Sequence, residues 1–299
     1  MTPNGMLLLD KPGGMTSHDV VARVRRIMSE RRVGHAGTLD PMATGLLIVA
    51  VGPATRLLRF VQAETKRYVG TFELGAATDT LDADGVVVER MPVPPIDADT
   101  MSKVASTLTG TSEQVPPMVS AVKIGGERLY DLARRGVEVE RAARTITVDS
   151  FSVAPGTETN RWDFDVVCST GTYVRVLASD LAQRLRTVGH LTALRRTAIG
   201  VHRVDGALTL DELAIAVEEG RSSMHPARAM VAHLASVVVG DDDVRRIGHG
   251  QRISITDSVV GSPIAALDGA GDLVAVLTRR GDDWQPDVVI ATGTPTARR

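Results

Sequence analysis

The hydrophobic pattern changes period several times along the chain, and each change predicts an element. Met6 to Leu9 is a short apolar run entering Asp10-Lys11-Pro12-Gly13-Gly14, which predicts a strand running into a turn. Thr16 or Ser17 is placed to cap the helix that follows, where Val20, Val21, Val24, Ile27 and Met28 recur at helical spacing and Arg23, Arg25 and Arg26 take the other faces. Gly34 to Gly45 reads as a glycine-interrupted loop, Leu46 to Val51 as a buried strand, and Thr55 to Val61 as a short helix. Lys66 to Leu74 alternates like a strand, and Asp82-Ala83-Asp84-Gly85 marks a hairpin before Val86-Val87-Val88. A helix is expected from Asp97 to Leu108, and Pro116-Pro117 opens a surface excursion, about residues 114–148, holding Lys123, Gly125-Gly126 and Tyr130.

Trp162 to Cys168 and Thr172 to Leu177 read as strands, the second passing into a helix through Arg186, and a helix follows near Leu210 to Val217. Beyond Gly220 and Pro226 the pattern becomes short strands, at Val237 to Val239, Arg252 to Ile255, Ile264 to Leu267, Leu273 to Thr278 and Val288 to Ala291, separated by Gly/Asp turns. Mixed rather than strictly alternating elements predict an α+β class, with residues 1–232 as one domain and residues 233–299 as a small β-barrel. The tail from Gly293 to Arg299 is expected to fray.

Composition narrows the class. With 43% hydrophobic and 23% charged residues, the chain of 299 residues is that of a globular protein. No apolar run reaches the ~18 residues of a membrane span, and Met1 to Leu9 lacks the pattern of a secretory signal, so the cytoplasm is the expected address. Cys168 is the only cysteine, which excludes an internal disulfide and multi-cysteine metal sites. The net charge of −2 hides a segregation. Residues 1–70 hold 10 Lys/Arg against 5 Asp/Glu and residues 123–205 hold 13 against 10, whereas residues 71–122 hold 2 against 8 and residues 206–299 hold 9 against 13. Folded together, the two basic segments would offer phosphates a positive face; solvated surface charge is the other reading.

The strongest local signal is Gly34-His35-Ala36-Gly37-Thr38-Leu39-Asp40-Pro41-Met42-Ala43-Thr44-Gly45, which joins permissive glycines to a titratable pair and hydroxyls. A structural turn shares that composition. The segment nevertheless resembles, nearly residue for residue, the signature of the tRNA pseudouridine-55 synthases, the TruB family. Upstream, Asp10-Lys11-Pro12 with Gly14, Thr16 and Ser17 looks like the family's opening motif, and Lys66-Arg67-Tyr68 like its second. Thr78-Asp79-Thr80, Gln114-Val115-Pro116-Pro117, Ser120-Ala121-Val122-Lys123, Cys168 to Arg175 and Leu194-Arg195-Arg196 continue the match in order, over roughly residues 5 to 200.

That resemblance implies a mixed, largely antiparallel sheet flanked by helices, with a basic active-site cleft and a PUA-like module at the C-terminus. It maps the catalytic carboxylate onto Asp40 and its cationic partner onto a strand arginine, Arg175. Tyr68 matches the tyrosine that stacks on the target base, Tyr173 a second site tyrosine, and His35 the histidine proposed to fill the gap left by a flipped nucleotide. Leu194 matches a residue lining the uracil pocket. Lys11, Arg195 and Arg196 are candidates for the cleft wall or for phosphate contacts, and Thr38 for a substrate contact. The implied reaction converts uridine to pseudouridine with no cofactor and no metal, on the T stem-loop of tRNA, by a monomer.

Two other classes were weighed. A non-catalytic RNA-binding or RNA-chaperone protein could use the same cleft. A glycoside hydrolase also attacks an anomeric carbon with a carboxylate, but no second acid and no aromatic platform stand out at 3% aromatics. Neither phosphate-cradling nor dinucleotide-binding glycine motifs occur in the required setting.

Overall fold

The structure is a computed structural model that describes residues 3–120, 123–124, 127–128, 135, 137, 139–255 and 260–290. The chain opens with strand β1 (Gly5–Lys11), helix α1 (Ser17–Ile27), β2 (Val33–His35) and β3 (Thr44–Val51). Thr16 is the cap of α1, its hydroxyl accepting from the Asp19 N–H while the Asp19 carboxylate accepts from the Thr16 N–H, a reciprocal capping box. A 3-10 turn over Gly52–Leu57 leads into α2 (Leu58–Ala63), then β4 (Lys66–Leu74) and the hairpin β5 (Ala76–Thr78) and β6 (Val87–Arg90). Helix α3 (Ala98–Ser106), capped by Asp97, precedes β7 (Gly110–Gln114) and the short pair β8 (Lys123–Ile124) and β9 (Glu127–Arg128). Then come β10 (Arg144–Pro155), β11 (Arg161–Cys168), α4 (Val174–Arg184), β12 (Gly189–Ile199), β13 (His202–Arg203) and α5 (Leu210–Glu218). The last described part holds β14 (Ser236–Val238), α6 (Asp241–Gly248), β15 (Ile264–Leu267), β16 (Leu273–Arg280) and β17 (Asp283–Val289).

The principal sheet has the order β1-β3-β12-β4-β11-β10-β7, with β2 on β3 and β13 on β12. Its pairings are antiparallel except β12 against β3, where Arg195 faces Thr44 and Arg196 faces Gly45. The mixed α+β class expected from the sequence is therefore the observed one. Alternation along β3 sends Leu47, Val49 and Val51 to a core shared with α1 and α5, and Leu46, Ile48 and Ala50 to a core on the opposite face. That second core also takes in Ala265, Leu273, Val276 and Val288, so the C-terminal four-stranded sheet, β14-β15-β16-β17, packs directly on the N-terminal strands. A third core lies between β4, β10, β11 and β12 and the helices α3 and α4. Fully burying a Leu, Ile or Phe is worth ~1.5–3 kcal/mol, so these shared cores outweigh any surface pairing between the regions.

Several expectations are corrected. Arg175 is not on a strand: residues 174–184 are helical, Tyr173 being the extended residue before the first turn. The buried set Val174, Leu177, Ala178, Leu181 and Ala182 repeats at three and four, but a short apolar run is ambiguous until its far end is included. The excursion closes early, because Arg144 already pairs with Gln114 where β10 meets β7. The acidic run Asp241 to Asp243 is the first turn of α6, where carboxylates complement the helix N-terminus, and not a turn between strands. The expected strand at Arg252 to Ile255 reduces to one bridge, Ile253 to Trp284. Ala121, Val122, Gly125, Gly126, Tyr130 and the tail from Ala291 onward lie outside the described residues. Among the described residues no helix is long and apolar enough to cross a membrane.

Candidate active site

Asp40 sits in the loop between β2 and β3, and the loop is pinned on both sides of it. The buried Ser17 hydroxyl donates to the Leu39 carbonyl at 3.1 Å and accepts from the Leu39 N–H at 2.8 Å. Beyond Asp40, the Pro41 carbonyl accepts from the Gly14 N–H at 2.8 Å and from Lys11 Nζ at 3.2 Å. Lys11 also donates to the Pro12 and Met15 carbonyls, at 2.9 and 2.6 Å. The sequence makes Lys11 a candidate for the cleft wall or for a phosphate contact; the structure buries it completely as a brace behind the loop, and it does not line the cavity.

The second element is α4, whose first turn turns Arg175 inward. Its Nε donates to Asp40 Oδ2 at 2.9 Å, Nη1 to the Thr80 carbonyl at 2.6 Å, and Nη2 to the Val119 carbonyl at 2.8 Å. Asp82, at the hairpin between β5 and β6, lies 3.5 Å from Nη1. In the sequence, Asp82 belongs to a hairpin turn that extends the family resemblance and carries no site role, and no local signal shows that the turn faces a guanidinium.

The third element is β12. Arg196 is buried, donating from Nε to the Leu46 carbonyl at 2.8 Å and from Nη2 to the Gly37 carbonyl at 3.0 Å, with its guanidinium 6.0 Å from the Tyr68 ring centre. It spans the start of β3 and the Asp40 loop. Gly45 has φ +99° and a Cβ there would sit 2.3 Å from the Arg196 carbonyl oxygen, so only glycine permits this approach. Arg195, on the opposite side of the strand, is instead paired with Asp10 through Nη1 and Nη2 at 2.9 and 2.7 Å, outside the cavity.

These elements enclose a cavity of about 380 Å³, within the range of small-ligand sites, lined by Thr38, Asp40, Tyr68, Tyr173, Arg175, Leu194 and Arg196 among the sequence candidates. Lys66, Ser120, Arg144 and the turn Thr170-Gly171-Thr172 complete it and had not been singled out as site residues. Lys66 and the turn lay inside quoted motifs, whereas Arg144 enters through the pairing of β10 with β7, which local pattern does not reveal. His35 is not part of the lining and packs edge-on against His18, the ring centres 5.4 Å apart.

The lining brings four cations, Lys66, Arg144, Arg175 and Arg196, against the single carboxylate of Asp40. Burial pushes the Asp40 carboxyl up from its ordinary value and Asp82 adds to this, while Arg175 and Lys11 oppose it. Burial likewise pushes Lys66 and Lys11 down to about 8, and His35 down to about 4 with help from His18 and Arg196. Burial raises the Tyr68 phenol, so at neutral pH it is a protonated ring with a hydroxyl and no base. Chemically, the site offers one carboxylate, an aromatic face, a leucine wall and excess positive charge.

Residues 25–174 match the family described as TruB family pseudouridylate synthase (N terminal domain). The tRNA pseudouridine synthase B of Thermobifida fusca (strain YX) is 45% identical over 295 residues, covering 96% of this chain and 99% of that protein. That of Streptococcus thermophilus (strain CNRZ 1066) is 39% identical over 293 residues, covering 96% and 99%. Among solved structures, that of an H/ACA RNP bound to a substrate RNA containing 2'-deoxyuridine superposes with a TM-score of 0.72 at 23% identity, over 96% of this chain and 85% of that one, a likeness of fold. A carboxylate on a buried guanidinium at the floor of a cationic cavity is thus found in a chain that belongs to the TruB family of pseudouridylate synthases, and the protein is an isomerase.

Proposed function

We propose that the protein converts uridine 55 in the T-loop of tRNA to pseudouridine, with Asp40 as the essential carboxylate. The observation that carries this reading is the ion pair between Asp40 and Arg175, 2.9 Å apart on the wall of the cavity. The reaction breaks the bond from ribose C1' to uracil N1, turns the base, rejoins it through C5 and removes the proton there. Atoms are conserved and nothing is oxidised. As a nucleophile at C1' or as a base toward the ribose, the aspartate acts only when ionised, and in a buried loop the ionised form needs the Arg175 charge beside it.

The cavity floor is beyond the reach of a uridine stacked in a T-loop, so the nucleotide is everted at a cost of a few kcal/mol. Tyr68 and Leu194 then sandwich the base, Tyr173 closes one side and Thr38 contacts the nucleotide, while Lys66 and Arg144 attract the backbone. His35, uncharged at neutral pH, packs into the space the base has left, a role of shape. Arg196 serves the site by holding the Gly37 carbonyl and the Tyr68 ring, and Arg195 keeps only an outer contact with RNA.

Residues 233–299 form a separate unit whose main task is to cap the core on β1 and β3, consistent with their excess of carboxylates. The enzyme acts as a monomer in the cytoplasm. Mapping pseudouridine in tRNA from cells with and without the protein tests the assignment: loss at position 55 alone is expected, and an unchanged map refutes it.

A further inference from the structure

A buried polar atom with no partner is costly, about 1–3 kcal/mol, and in a native protein it calls for a reason. Among the described residues His35 Nδ1, Ser120 Oγ and Thr187 Oγ1 are buried with no hydrogen-bond partner. Of these three, only Ser120 lines the cavity beside Asp40. Its residue is 5% exposed, so solvent does not satisfy the hydroxyl from outside the protein.

The placement of Ser120 is not loose. At the end of β7, the Gln114 side chain accepts from the Tyr173 N–H at 2.8 Å and donates to the Tyr173 carbonyl at 3.2 Å, tying the start of the segment to the head of α4. One residue before Ser120, the Val119 carbonyl accepts from Arg175 Nη2 at 2.8 Å, and the Ser120 N–H itself donates to the Met118 carbonyl at 3.0 Å. The guanidinium that pairs with Asp40 therefore also fixes the backbone that carries Ser120. The Gln114 side chain, the Met118 and Val119 carbonyls and the Ser120 N–H are thus engaged by the protein, whereas the hydroxyl of Ser120, a residue of the cavity lining, is left over.

We propose that Ser120 Oγ is a substrate contact, making a hydrogen bond to the everted uridine in the catalytic cavity. A hydroxyl both donates and accepts, and a uridine offers it two carbonyls, an imide N–H and a ribose hydroxyl within one nucleotide. The same fixed position makes the group useful for selection, because a nucleotide that cannot supply the bond leaves the hydroxyl buried and unpaired. The inference rests on reading the cavity as the uridine pocket.

The test is Ser120→Ala, measured for both turnover and thermal stability on the full chain. A substrate contact predicts that kcat/KM on a tRNA transcript falls roughly three- to tenfold, the worth of one such bond, while Tm stays equal to or rises above that of the unsubstituted protein. Unchanged kcat/KM overturns the proposal, and so does a lowered Tm, which would mean that the hydroxyl is engaged within the fold. If the unsubstituted protein forms no pseudouridine, the reading of the cavity has failed; if it turns over and Ser120→Ala matches it, only the present inference has.

Discussion

Cations at the cavity and cations on the outer surface are held by different chemistry. Around the catalytic loop, Lys11, Lys66 and Arg196 donate to backbone carbonyls, as do two of the three nitrogens of Arg175. On the outside, Arg67 pairs with Asp165, Arg59 with Asp287, Arg161 with Glu73 and Arg245 with Asp242. A carboxylate partner fixes a cation and cancels its charge, whereas a carbonyl fixes it and leaves the charge in place. Lys66 and Arg196 are thus held at the cavity with their charge left standing. The overall charge of −2 conceals this, because, Asp40 apart, the acids that offset the cavity cations in that sum lie outside the cavity lining.

The comparison breaks hardest at the one cavity cation that does have a carboxylate. Asp40→Asn is expected to reduce pseudouridine formation on the order of 10,000-fold or more, read by tritium release from uridine labelled at C5. The same variant should not melt earlier. Because burial raises the Asp40 pKa above its unfolded value, the fold favours the protonated form, and stability from this group is gained as pH falls through the raised value. A neutral amide removes the strain of holding the charge at pH 7.

Next in size is Arg196→Met, which strips the donors from the Leu46 and Gly37 carbonyls. We expect a loss of about 2 kcal/mol in denaturant unfolding, with lowered activity, since buried acceptors are left unpaired.

Lys66 gives a smaller, pH-dependent effect. Its pKa is lowered to about 8, so between pH 8 and its unfolded value near 10.5 the unfolded chain binds more protons, and stability from this group rises with pH. Function runs the other way, because the cavity loses a positive charge above pH 8. Affinity for RNA in filter binding should decline across that pH, and Lys66→Met should flatten the decline and make the salt slope shallower by about 0.7–0.9. Smallest of all is Arg67→Ala. Its pair with Asp165 is exposed, and neither the denaturation midpoint nor kcat/KM should move measurably.

Sequence revealed the parts of the site that are local. Asp40, Tyr68, Tyr173, Arg175 and Leu194 sit in short motifs whose order survives without knowledge of the fold, and all five reach the cavity. Lys11 and Arg195 also sit in quoted motifs, but a motif and a charge do not say whether a cation will meet a phosphate, a carbonyl or Asp10. Ser120 lay in a quoted motif, but its unpaired hydroxyl is a fact of three dimensions. For the fold, β3, a continuous apolar run of strand length, and β4, with its alternation, were legible. The head of α4 was not, because an extended Tyr173 and a short apolar run imitate a strand until the helical repeat has had two turns to show itself.

The parallel step in the sheet has a consequence for biosynthesis. Gly45 can take its place only against the backbone of Arg196, some 150 residues later in the chain, and the loop that presents Asp40 is braced by that same arginine. A nascent polypeptide still short of β12 can form the antiparallel pair of β1 with β3 but has nothing to close the far side of the loop. The Asp40 loop is therefore completed late in synthesis, when β12 emerges, and until then the chain has no assembled cavity.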